Sequence, residues 1–489
     1  MRLLLALLGL LLAAGCSLPP RERLTFPQRA IETDYNHEWF DVDRDGRRDF
    51  ALHRIDGAVD RLLYDDDQDG TIDRAYALAD YDERELPHVI ILLDSIPFAV
   101  MAERYAKGDF GWFKPPVKTI SAFPSLTELC YSEVMHAPPL PGVIDEQYDP
   151  RLRKRRDDLW ARAVDKVKQP WERRLHYHAS YDEHGLSFLD PRAWYAGELA
   201  RCYRAINESP DQVTYVYTAS AASMVCKYGR EGADEVLDGA RQLCLQLFHE
   251  RRGAIRISMM ADHGHNLVPT KNVSLADILT RAGFRVTDSI KQDDDVVVSV
   301  NGLVTNAAVH TRRPREVAAV LARHEAVELL AYRDGAQVMV RSAKGVSAID
   351  AYADTLRYLP MDADVLGLKD VASAMTQQHG DASNGFFNER QWFEATLEHE
   401  FPNAPPRLWA AFGRLVVSTP TVLISVRDGY AMGKPELEKW IDMKSSHGGL
   451  NQVNSASFVM SMTNRLKGPL LPREVLPTLE PGRPPRVLR

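Results

Sequence analysis

The chain of 489 residues lacks an excess of basic residues, a long low-complexity tract and a second long apolar segment after its first residues. It carries 60 Lys and Arg residues against 68 Asp and Glu residues, a net charge of −8. This balance excludes the basic surface with which nucleic-acid-binding proteins contact phosphate backbones. Beyond the N-terminal stretch no apolar run reaches the roughly 20 residues that cross a bilayer, so we expect no transmembrane helix there.

Cysteine is also scarce, with five residues in the whole chain. One lies near the N-terminus, and the other four are Cys130, Cys202, Cys226 and Cys244. In an oxidising compartment four thiols permit three complete pairings, and nothing in the sequence chooses among them. The disulfide pattern is therefore left open.

The N-terminus has the pattern of a bacterial lipoprotein signal. A short basic start precedes an apolar stretch over residues 3–12, and small residues then lead to Cys16. This arrangement resembles a lipobox, which implies a signal peptide over residues 1–15 and lipidation of Cys16. The residue after Cys16 is Ser17, and serine at this position resembles the signal that sorts lipoproteins to the outer membrane. We expect a tether over residues 16–30 and a periplasm-facing lipoprotein of the bacterial envelope; a secretory signal with a chance cysteine is the alternative.

Two acidic loops follow at a fixed interval within residues 31–86. Each has aspartate at positions one, three, five and nine and glycine at position six: Asp41, Asp43, Asp45, Gly46 and Asp49, then Asp65, Asp67, Asp69, Gly70 and Asp73. Carboxylates at this spacing, with a backbone carbonyl at position seven, are oxygen ligands that Ca²⁺ prefers. Position twelve is not acidic in either loop, so the pattern favours a calcium-loop repeat between β-strands over an EF-hand. Chance acidic turns are the alternative.

From residue 87 to about 465, apolar strand-like runs alternate with helical patterns. The sequence predicts strands at 89–93, 213–217 and 255–260, and helices at 98–105, 127–134 and 233–250. Such alternation is typical of an α/β fold whose mostly parallel sheet has helices on both faces. Between about 270 and 400 it predicts an inserted α+β subdomain, and the Pro- and Arg-rich residues 466–489 predict an extended C-terminal tail.

Two of the predicted strands lead into aspartates. One runs directly into Asp94, and a later one is followed by the motif Asp262-His263-Gly-His265. Because ligands of open α/β sheets bind beyond the carboxyl ends of strands, these acids are expected to face one crevice. We therefore predict a metal site at Asp94, Asp262 and His263. We expect His265 to face solvent; a place in the cleft as an extra polar group is the alternative. A helix cap is the alternative for Asp94.

Between these strands the turn Phe-Pro-Ser-Leu-Thr127 leads into a helix. A hydroxyl at a helix N-terminus lies beside free backbone donors in a positive field, which favours a bound phosphate. With Asp94, Asp262 and His263, this order of motifs resembles the alkaline phosphatase superfamily, especially its type I phosphodiesterase/nucleotide pyrophosphatase branch. The resemblance implies Zn²⁺, or another divalent transition metal, beside Thr127 as nucleophile. The alternatives are Thr127 as a helix cap and Ser125 as nucleophile.

A late His-Gly motif at His447 resembles the family's ligand for a second metal ion. The family's other two ligands of that ion are an aspartate and a histidine, but the framing Val-Tyr and Lys-Tyr-Gly sequences place Ala222 and Cys226 there. Alanine cannot bind metal and cysteine binds zinc only as a thiolate. Cys226 is thus a possible ligand of a second site that is predicted to be degraded. A polar loop that could substitute for the lost ligands contains His176, His178, Asp182 and His184.

Together these patterns predict a lipid-anchored, metal-dependent phosphatase or phosphodiesterase-like hydrolase. Its substrate would be a small-molecule, lipid or glycan phosphoester. Since a lost cation removes much transition-state stabilisation, the alternative is a catalytically weak or inactive homologue that serves as an envelope binding or scaffold protein. Transfer of a phosphoalcohol group between envelope molecules is a third possibility.

Overall fold

The structure is a computed structural model. It describes residues 19–143, 146–149, 151–152, 154–157, 169–300, 302–380, 384–433, 442–463 and 465–481. The predicted signal peptide, the predicted lipidation site Cys16 and the last eight residues of the chain lie outside these ranges. Within them, no helix combines the length and the apolar character needed to cross a bilayer.

Strands and α-helices are interspersed along the described part of the chain. The strands are β1 (Glu32–Thr33), β2 (His37–Phe40), β3 (Phe50–Ile55), β4 (Ala58–Tyr64), β5 (Arg74–Ala77), β6 (His88–Leu93), β7 (Val117–Ile120), β8 (Glu146–Asp149), β9 (Lys154–Asp157), β10 (Val213–Thr218), β11 (Arg256–Ala261), β12 (Lys271–Asn272), β13 (Arg285–Val286), β14 (Asp295–Ser299), β15 (Leu303–Val304), β16 (Asn306–Thr311), β17 (Val327–Asp334), β18 (Gln337–Ser342), β19 (Gly345–Tyr352), β20 (Thr355–Pro360), β21 (Phe387–Asn388), β22 (Val422–Val426), β23 (Tyr430–Gly433) and β24 (Ala456–Ser461). The α-helices are α1 (Phe98–Ala106), α2 (Thr127–Val134), α3 (Tyr181–Ser187), α4 (Pro191–Glu208), α5 (Ser220–Tyr228), α6 (Arg230–Glu250), α7 (Leu275–Arg281), α8 (Pro314–Leu321), α9 (Lys369–His379), α10 (Glu389–Thr396), α11 (Ala404–Ala411), α12 (Gln452–Ser455) and α13 (Pro472–Leu479).

The N-terminal region forms a five-stranded antiparallel sheet in the order β1-β2-β3-β4-β5. The two acidic loops join β2 to β3 and β4 to β5, between strands as the nine-residue pattern predicts. Gly46 and Gly70 have φ angles of +90° and +88°, a conformation that residues with a Cβ rarely adopt. Glycine at position six therefore permits the sharp turn in each loop.

The segment predicted as a tether, residues 16–30, is packed against the fold from Leu24 onward. Leu24 and Phe26 are buried in a core shared with α6. The side-chain carbonyl of Gln246 in α6 accepts hydrogen bonds from the backbone amides of Thr25 and Phe26. For these residues the tether prediction was wrong, because two isolated apolar side chains in a polar stretch produce no periodic pattern.

The central sheet has five strands in the order β10-β6-β11-β24-β7. Strands β10, β6 and β11 are parallel neighbours, whereas β24 runs antiparallel to both β11 and β7. Strand β7 therefore points the same way as the first three. The predicted α/β class with a mostly parallel sheet is confirmed.

Side chains of β6 alternate between two hydrophobic cores. Val89, Ile91 and Leu93 lie in a core shared with α4 and α6, whereas Ile90 and Leu92 lie in a core shared with α2 and α13. Helices thus cover both faces of the sheet. A strand that is buried on both faces has a continuous apolar sequence, which explains why this strand was predictable.

A second, nine-stranded sheet lies in the chain between β11 and β24, in the order β13-β14-β16-β22-β17-β18-β19-β20-β21. Its neighbouring strands are antiparallel except for β13 and β14. The sheet extends past residue 400, where the prediction ended the insertion. The reason is that β22 pairs with both β16 and β17 in the interior of the sheet.

The C-terminal segment predicted as an extended tail contains the helix α13. Its Val475, Leu476 and Leu479 are buried in the core beside α2. Pro472 occupies the first helical turn, where proline is tolerated because its missing N–H has no partner in the helix anyway. The prediction was wrong for these residues because the helix depends on packing partners that are distant in sequence.

Candidate metal centre and nucleophile

The carboxyl ends of β6 and β11 bring the predicted metal ligands together. Leu93 and Ala261 are register partners on these parallel strands, so Asp94 and Asp262 follow side by side. One ligand atom from each of Asp94, Asp262 and His263 lies within 4.8 Å of the others, and all three residues are buried. The cluster has the donors for one metal ion, and its role as a metal site stays a prediction.

Thr127 lies beside this cluster as the first residue of α2. Its Oγ1 is 3.4 Å from Nε2 of His263 and 3.4 Å from Oδ2 of Asp94. The residue before it, Leu126, is the N-cap, so the alternative role of Thr127 as the cap is wrong. The Thr127 hydroxyl, which is only partly buried, thus lies at the N-terminus of α2, the positive end of the helix dipole.

The alternative nucleophile, Ser125, is engaged in a buried polar network. Its Oγ lies 3.0 Å from the carbonyl oxygen of Gly449, 3.2 Å from that of Ala122 and 2.9 Å from Oγ of Ser121. A guanidinium nitrogen of Arg407 donates to the same Oγ. These contacts support a structural role for Ser125 at the turn that leads into α2.

Neighbouring donors hold the two carboxylates in place. The Tyr217 hydroxyl donates to Oδ2 of Asp94 at 2.5 Å, and the Ser95 hydroxyl donates to Oδ1 of Asp94 at 2.7 Å. The backbone amide of Ser95, which has a φ of 66°, donates to Oδ1 of Asp262 at 3.0 Å. This left-handed turn directly after β6 links the two acids.

Two acceptor atoms face each other at the centre of the cluster. Nδ1 of His263 lies 3.0 Å from the carbonyl oxygen of Gly264. Because a carbonyl oxygen can only accept a hydrogen bond, Nδ1 carries the proton and Nε2 has a lone pair. This Nε2 is 3.3 Å from Oδ2 of Asp262, a buried oxygen without a hydrogen-bond partner among the described residues. A cation between the two atoms would satisfy both.

Burial determines the charge states of these groups. Loss of solvation raises the pKa of Asp94 and Asp262, that of Asp262 to about 7, and the charge of Asp262 raises the pKa of Asp94 further. Burial lowers the pKa of His263 to about 4, so its imidazole is neutral. A divalent cation would stabilise the ionised form of the two adjacent acids, and the neutral imidazole can bind the same cation through its lone pair. Oxygen and nitrogen donors of this kind fit Zn²⁺.

We expect Zn²⁺ to stabilise the chelator-treated protein more at pH 8 than at pH 5. In the absence of metal the folded state binds the Asp262 proton with a pKa of about 7, well above the ordinary value of an aspartate. This one group makes the free energy of unfolding fall as the pH rises from about 4 to about 7, whereas the lowered pKa values of His263 and His447 act in the opposite sense. Because a cation must replace the proton of Asp262, it binds more tightly at a pH where that proton is absent. The increase in the urea midpoint on adding Zn²⁺ should therefore be larger at pH 8 than at pH 5. A midpoint at pH 8 that does not change with Zn²⁺ would contradict the metal site.

His447, which the family resemblance implies as a ligand of a second metal ion, lies next to the cluster. Its ring stacks on that of His263, with the centroids 4.2 Å apart and an angle of 15° between the planes. Its Nδ1 donates to the carbonyl oxygen of Ser125 at 3.0 Å. Burial lowers the pKa of His447 to about 3, so this imidazole is neutral as well.

His265 is buried in the same region, with 1% of its surface exposed, which makes the prediction of a solvent-facing histidine wrong. Its Nε2 is 3.5 Å from Sγ of Cys226, and its Nδ1 contacts the hydroxyl of Ser445. A Cβ on Gly264 would lie 2.1 Å from the carbonyl oxygen of Val453, so glycine permits the close packing that buries this histidine. Its spacing of two from His263 was the available signal, since residues two apart in extended chain share a face.

The residues predicted for a second metal ion are not assembled as closely as Asp94, Asp262 and His263. Ala222 and Cys226 are both buried on α5. Within the described part of the chain, Cys226, His265 and His447 do not form a close group of three ligand atoms like that of the first position. The polar loop contributes none of His176, His178, Asp182 and His184 to such a group either. Instead, His176 is held by Asp211 and by the backbone amide of Tyr215.

The acidic loops converge as the calcium pattern predicts, with three acids from each. The groups with ligand atoms within 4.8 Å of one another are Asp41, Asp43 and Asp45 in the first loop and Asp65, Asp67 and Asp73 in the second. The remaining predicted ligands accept backbone hydrogen bonds, Asp49 from Val42 and Asp69 from Thr71.

The cysteines that the structure describes are all free and buried: Cys130, Cys202, Cys226 and Cys244. None of the pairings left open by the sequence is formed among them. Cys130, Cys202 and Cys244 fill apolar space in the hydrophobic cores, whereas Cys226 lies against His265.

Comparison with known proteins gives similarity in structure only. No family model matches the chain, and no curated protein matches its sequence. Murine ectonucleotide pyrophosphatase/phosphodiesterase 5 is 10% identical, with a TM-score of 0.44 over 80% of this chain and 94% of that one. The human protein of the same name is 9% identical, with a TM-score of 0.43 over 80% and 93%.

A third similar structure is that of phosphonoacetate hydrolase from Sinorhizobium meliloti, in complex with phosphonoacetate. It is 11% identical, with a TM-score of 0.42 over 81% of this chain and 93% of that one.

Proposed function

We propose that the protein is a metal-dependent hydrolase of phosphoric esters that uses Thr127 as its nucleophile. One observation carries the proposal: Oγ1 of Thr127 lies 3.4 Å from both His263 Nε2 and Asp94 Oδ2, at a helix N-terminus, and is not fully buried. A hydroxyl in this position has access to phosphorus, and the N-terminus of a helix favours binding of the phosphoryl oxygens.

In the proposed reaction Oγ1 of Thr127 attacks phosphorus in line with the departing alcohol. The bond between phosphorus and the ester oxygen breaks, a phosphothreonine forms, the threonine proton passes to solvent and the departing alkoxide takes up a proton. Water then attacks phosphorus and releases Thr127 together with phosphate or a phosphomonoester. The helix amides hold the phosphoryl group in both steps.

Asp94, Asp262 and His263 would hold the metal ion, which we propose to be Zn²⁺ or another divalent transition metal. When bound, it lowers the pKa of the Thr127 hydroxyl and stabilises negative charge on the phosphoryl oxygens. Tyr217 and Ser95 orient the two carboxylates through the hydrogen bonds they donate. Such partners of metal ligands typically contribute about 10- to 100-fold to metal affinity or activity.

We propose that the second metal position is degraded. Ala222 has no ligand atom, and the thiol of Cys226 has a pKa raised by burial, so it stays protonated. The neutral side chains here supply no cation beside the reacting phosphoryl group, which predicts a slow hydrolase or one with altered chemistry. The same observation favours the alternative, an envelope binding or scaffold protein that keeps one metal ion for stability.

Location and substrate follow from the N-terminal pattern. Lipidation of Cys16 would tether the protein to the outer membrane, facing the periplasm. Within reach of such a tether are small-molecule, lipid and glycan phosphoesters, and transfer of a phosphoalcohol group between two of them is a variant of the same chemistry. Ca²⁺ in the acidic loops would be structural.

The proposal is tested by trapping the covalent enzyme and counting its metal ions. Acid quenching during turnover of an aryl phosphodiester should yield a phosphorylated peptide that contains Thr127, identified by mass spectrometry. Elemental analysis should find one transition metal ion per chain. Turnover without a phosphopeptide would contradict the proposal that Thr127 is the nucleophile. If the protein binds one metal ion but shows neither turnover nor a phosphopeptide, the scaffold alternative is favoured.

A further inference from the structure

The two acidic loops share one pattern of internal hydrogen bonds. Position nine accepts from the amides of positions two and three, and position one accepts from the glycine at position six. In the second loop these acceptors are Asp73, which binds the amides of Asp66 and Asp67, and Asp65, which binds that of Gly70. This scaffold by itself occurs in acidic turns without any ion.

The loops differ at position one. In the first loop both carboxylate oxygens of Asp41 accept backbone hydrogen bonds, from Arg44 and Asp45 at Oδ1 and from Gly46 at Oδ2. In the second loop Asp65 is only 3% exposed, and its Oδ1 has no hydrogen-bond partner among the described residues. A buried carboxylate oxygen without a donor requires a cation or another ligand.

The second loop is also joined to the core of the fold. Tyr64, at the end of β4, donates its hydroxyl proton to the carbonyl oxygen of His249 in the last turn of α6 at 3.0 Å. The guanidinium group of Arg252 lies over the Tyr64 ring, 3.9 Å from its centroid, and 3.9 Å from a carboxylate oxygen of Asp66. The turn after α6 leads directly into β11.

We propose that the second loop, Asp65–Asp73, binds a Ca²⁺ ion that locks the turn between β4 and β5 onto the C-terminal end of α6. Asp65, Asp67 and Asp73 would supply carboxylate oxygens, hard ligands that suit Ca²⁺ better than a transition metal. Bound Ca²⁺ neutralises the repulsion among the clustered acids. This keeps Asp66 free to hold Arg252 while Tyr64 caps the helix.

The ion would be remote from the proposed nucleophile. The loop contacts the chain before the start of β11, whereas Asp262 follows the end of that six-residue strand, about 20 Å away at the usual rise per residue. Ca²⁺ here stabilises the attachment of the N-terminal sheet and does not take part in ester hydrolysis. This inference is independent of the proposed enzymatic activity.

A matched pair of variants within the loop tests the proposal. Asp67→Asn removes the negative charge of a candidate ligand. Asp66→Asn removes the same charge from the neighbouring residue, whose own carboxylate oxygens face Arg74 and Arg252. Ca²⁺ alone is titrated calorimetrically into the chelator-treated full chain in detergent. We expect the tightest Ca²⁺ site to weaken at least about tenfold in Asp67→Asn and to change less than about threefold in Asp66→Asn.

Hydrogen exchange tests the lock itself. Ca²⁺ should slow exchange of the backbone amides of Arg251 and Gly253, which are bonded within the turn after α6, in the unmodified chain but not in Asp67→Asn. The proposal would be overturned if Ca²⁺ binding weakened equally in Asp67→Asn and Asp66→Asn, or if calorimetry detected no Ca²⁺ binding to the unmodified chain. It would also be overturned if Ca²⁺ bound without changing hydrogen exchange.

Discussion

Replacing Thr127 by alanine is expected to lower the rate of aryl phosphodiester hydrolysis by at least about a thousandfold. The substitution removes the hydroxyl whose oxygen lies 3.4 Å from His263 and Asp94. Because Thr127 is not the N-cap of α2 and alanine favours helix, the fold should be retained. The measurement is kcat/KM for a chromogenic phosphodiester and the corresponding monoester, with thermal unfolding as a check of folding.

Two further variants separate the nucleophile from its surroundings. Thr127→Ser keeps a hydroxyl at the same position and should retain measurable turnover. Ser125→Ala breaks the buried network with Gly449 and Arg407, so it should lower thermal stability while the folded fraction remains active. Undiminished turnover in Thr127→Ala, or activity that depends on Ser125 alone, would exclude the proposed nucleophile.

Restoring the missing ligands is expected to convert the site from one metal ion to two. In the double variant Ala222→Asp and Cys226→His, a carboxylate and an imidazole would join His447 beside the first metal position. A second cation there would compensate negative charge in the transition state. Removal of comparable stabilising groups lowers the rate of enzymes about 10²- to 10³-fold. Elemental analysis should rise from one to two transition metal ions per chain, with a matching rise in phosphoester turnover.

The two single variants are the controls for this experiment, since each restores only one ligand. Neither is expected to bind a second ion tightly, because catalytic zinc sites normally have three protein ligands. Two metal ions in the unmodified protein would contradict the prediction of a degraded site. Substitution of Cys226 and His265, whose ligand atoms are 3.5 Å apart, would then test them as replacement ligands.

Much of the fold was predictable because its central elements have strong local patterns. The apolar run 89–93 is recovered within β6, and α2 has the predicted bounds Thr127–Val134. The chain direction of parallel strands then dictates that Asp94 and Asp262 meet at one edge of the sheet. Their proximity to each other could thus be expected from the strand pattern, whereas the position of Thr127 beside them was implied by the family resemblance.

Other elements could not be predicted because they depend on contacts with distant parts of the chain. Leu24 and Phe26 are single apolar residues whose burial is decided by α6. The helix α13 is stabilised against α2, more than three hundred residues earlier in the chain. His265 was expected to face solvent because no local pattern marks the close packing of Gly264 under Val453.

The sequence by itself determined the chemistry that is available: two acids and a histidine after apolar strands, a threonine at the start of a helix, Ala222 and Cys226 where the family has ligands, and two acidic loops. Only the tertiary structure decided how these groups are used. It left Oδ2 of Asp262 without a donor, engaged Ser125 elsewhere, buried His265 beside Cys226 and distinguished Asp65 from Asp41. The physical reason is that residue type and spacing fix which atoms can act as donors and acceptors, whereas burial and long-range packing decide which of them find partners within the protein.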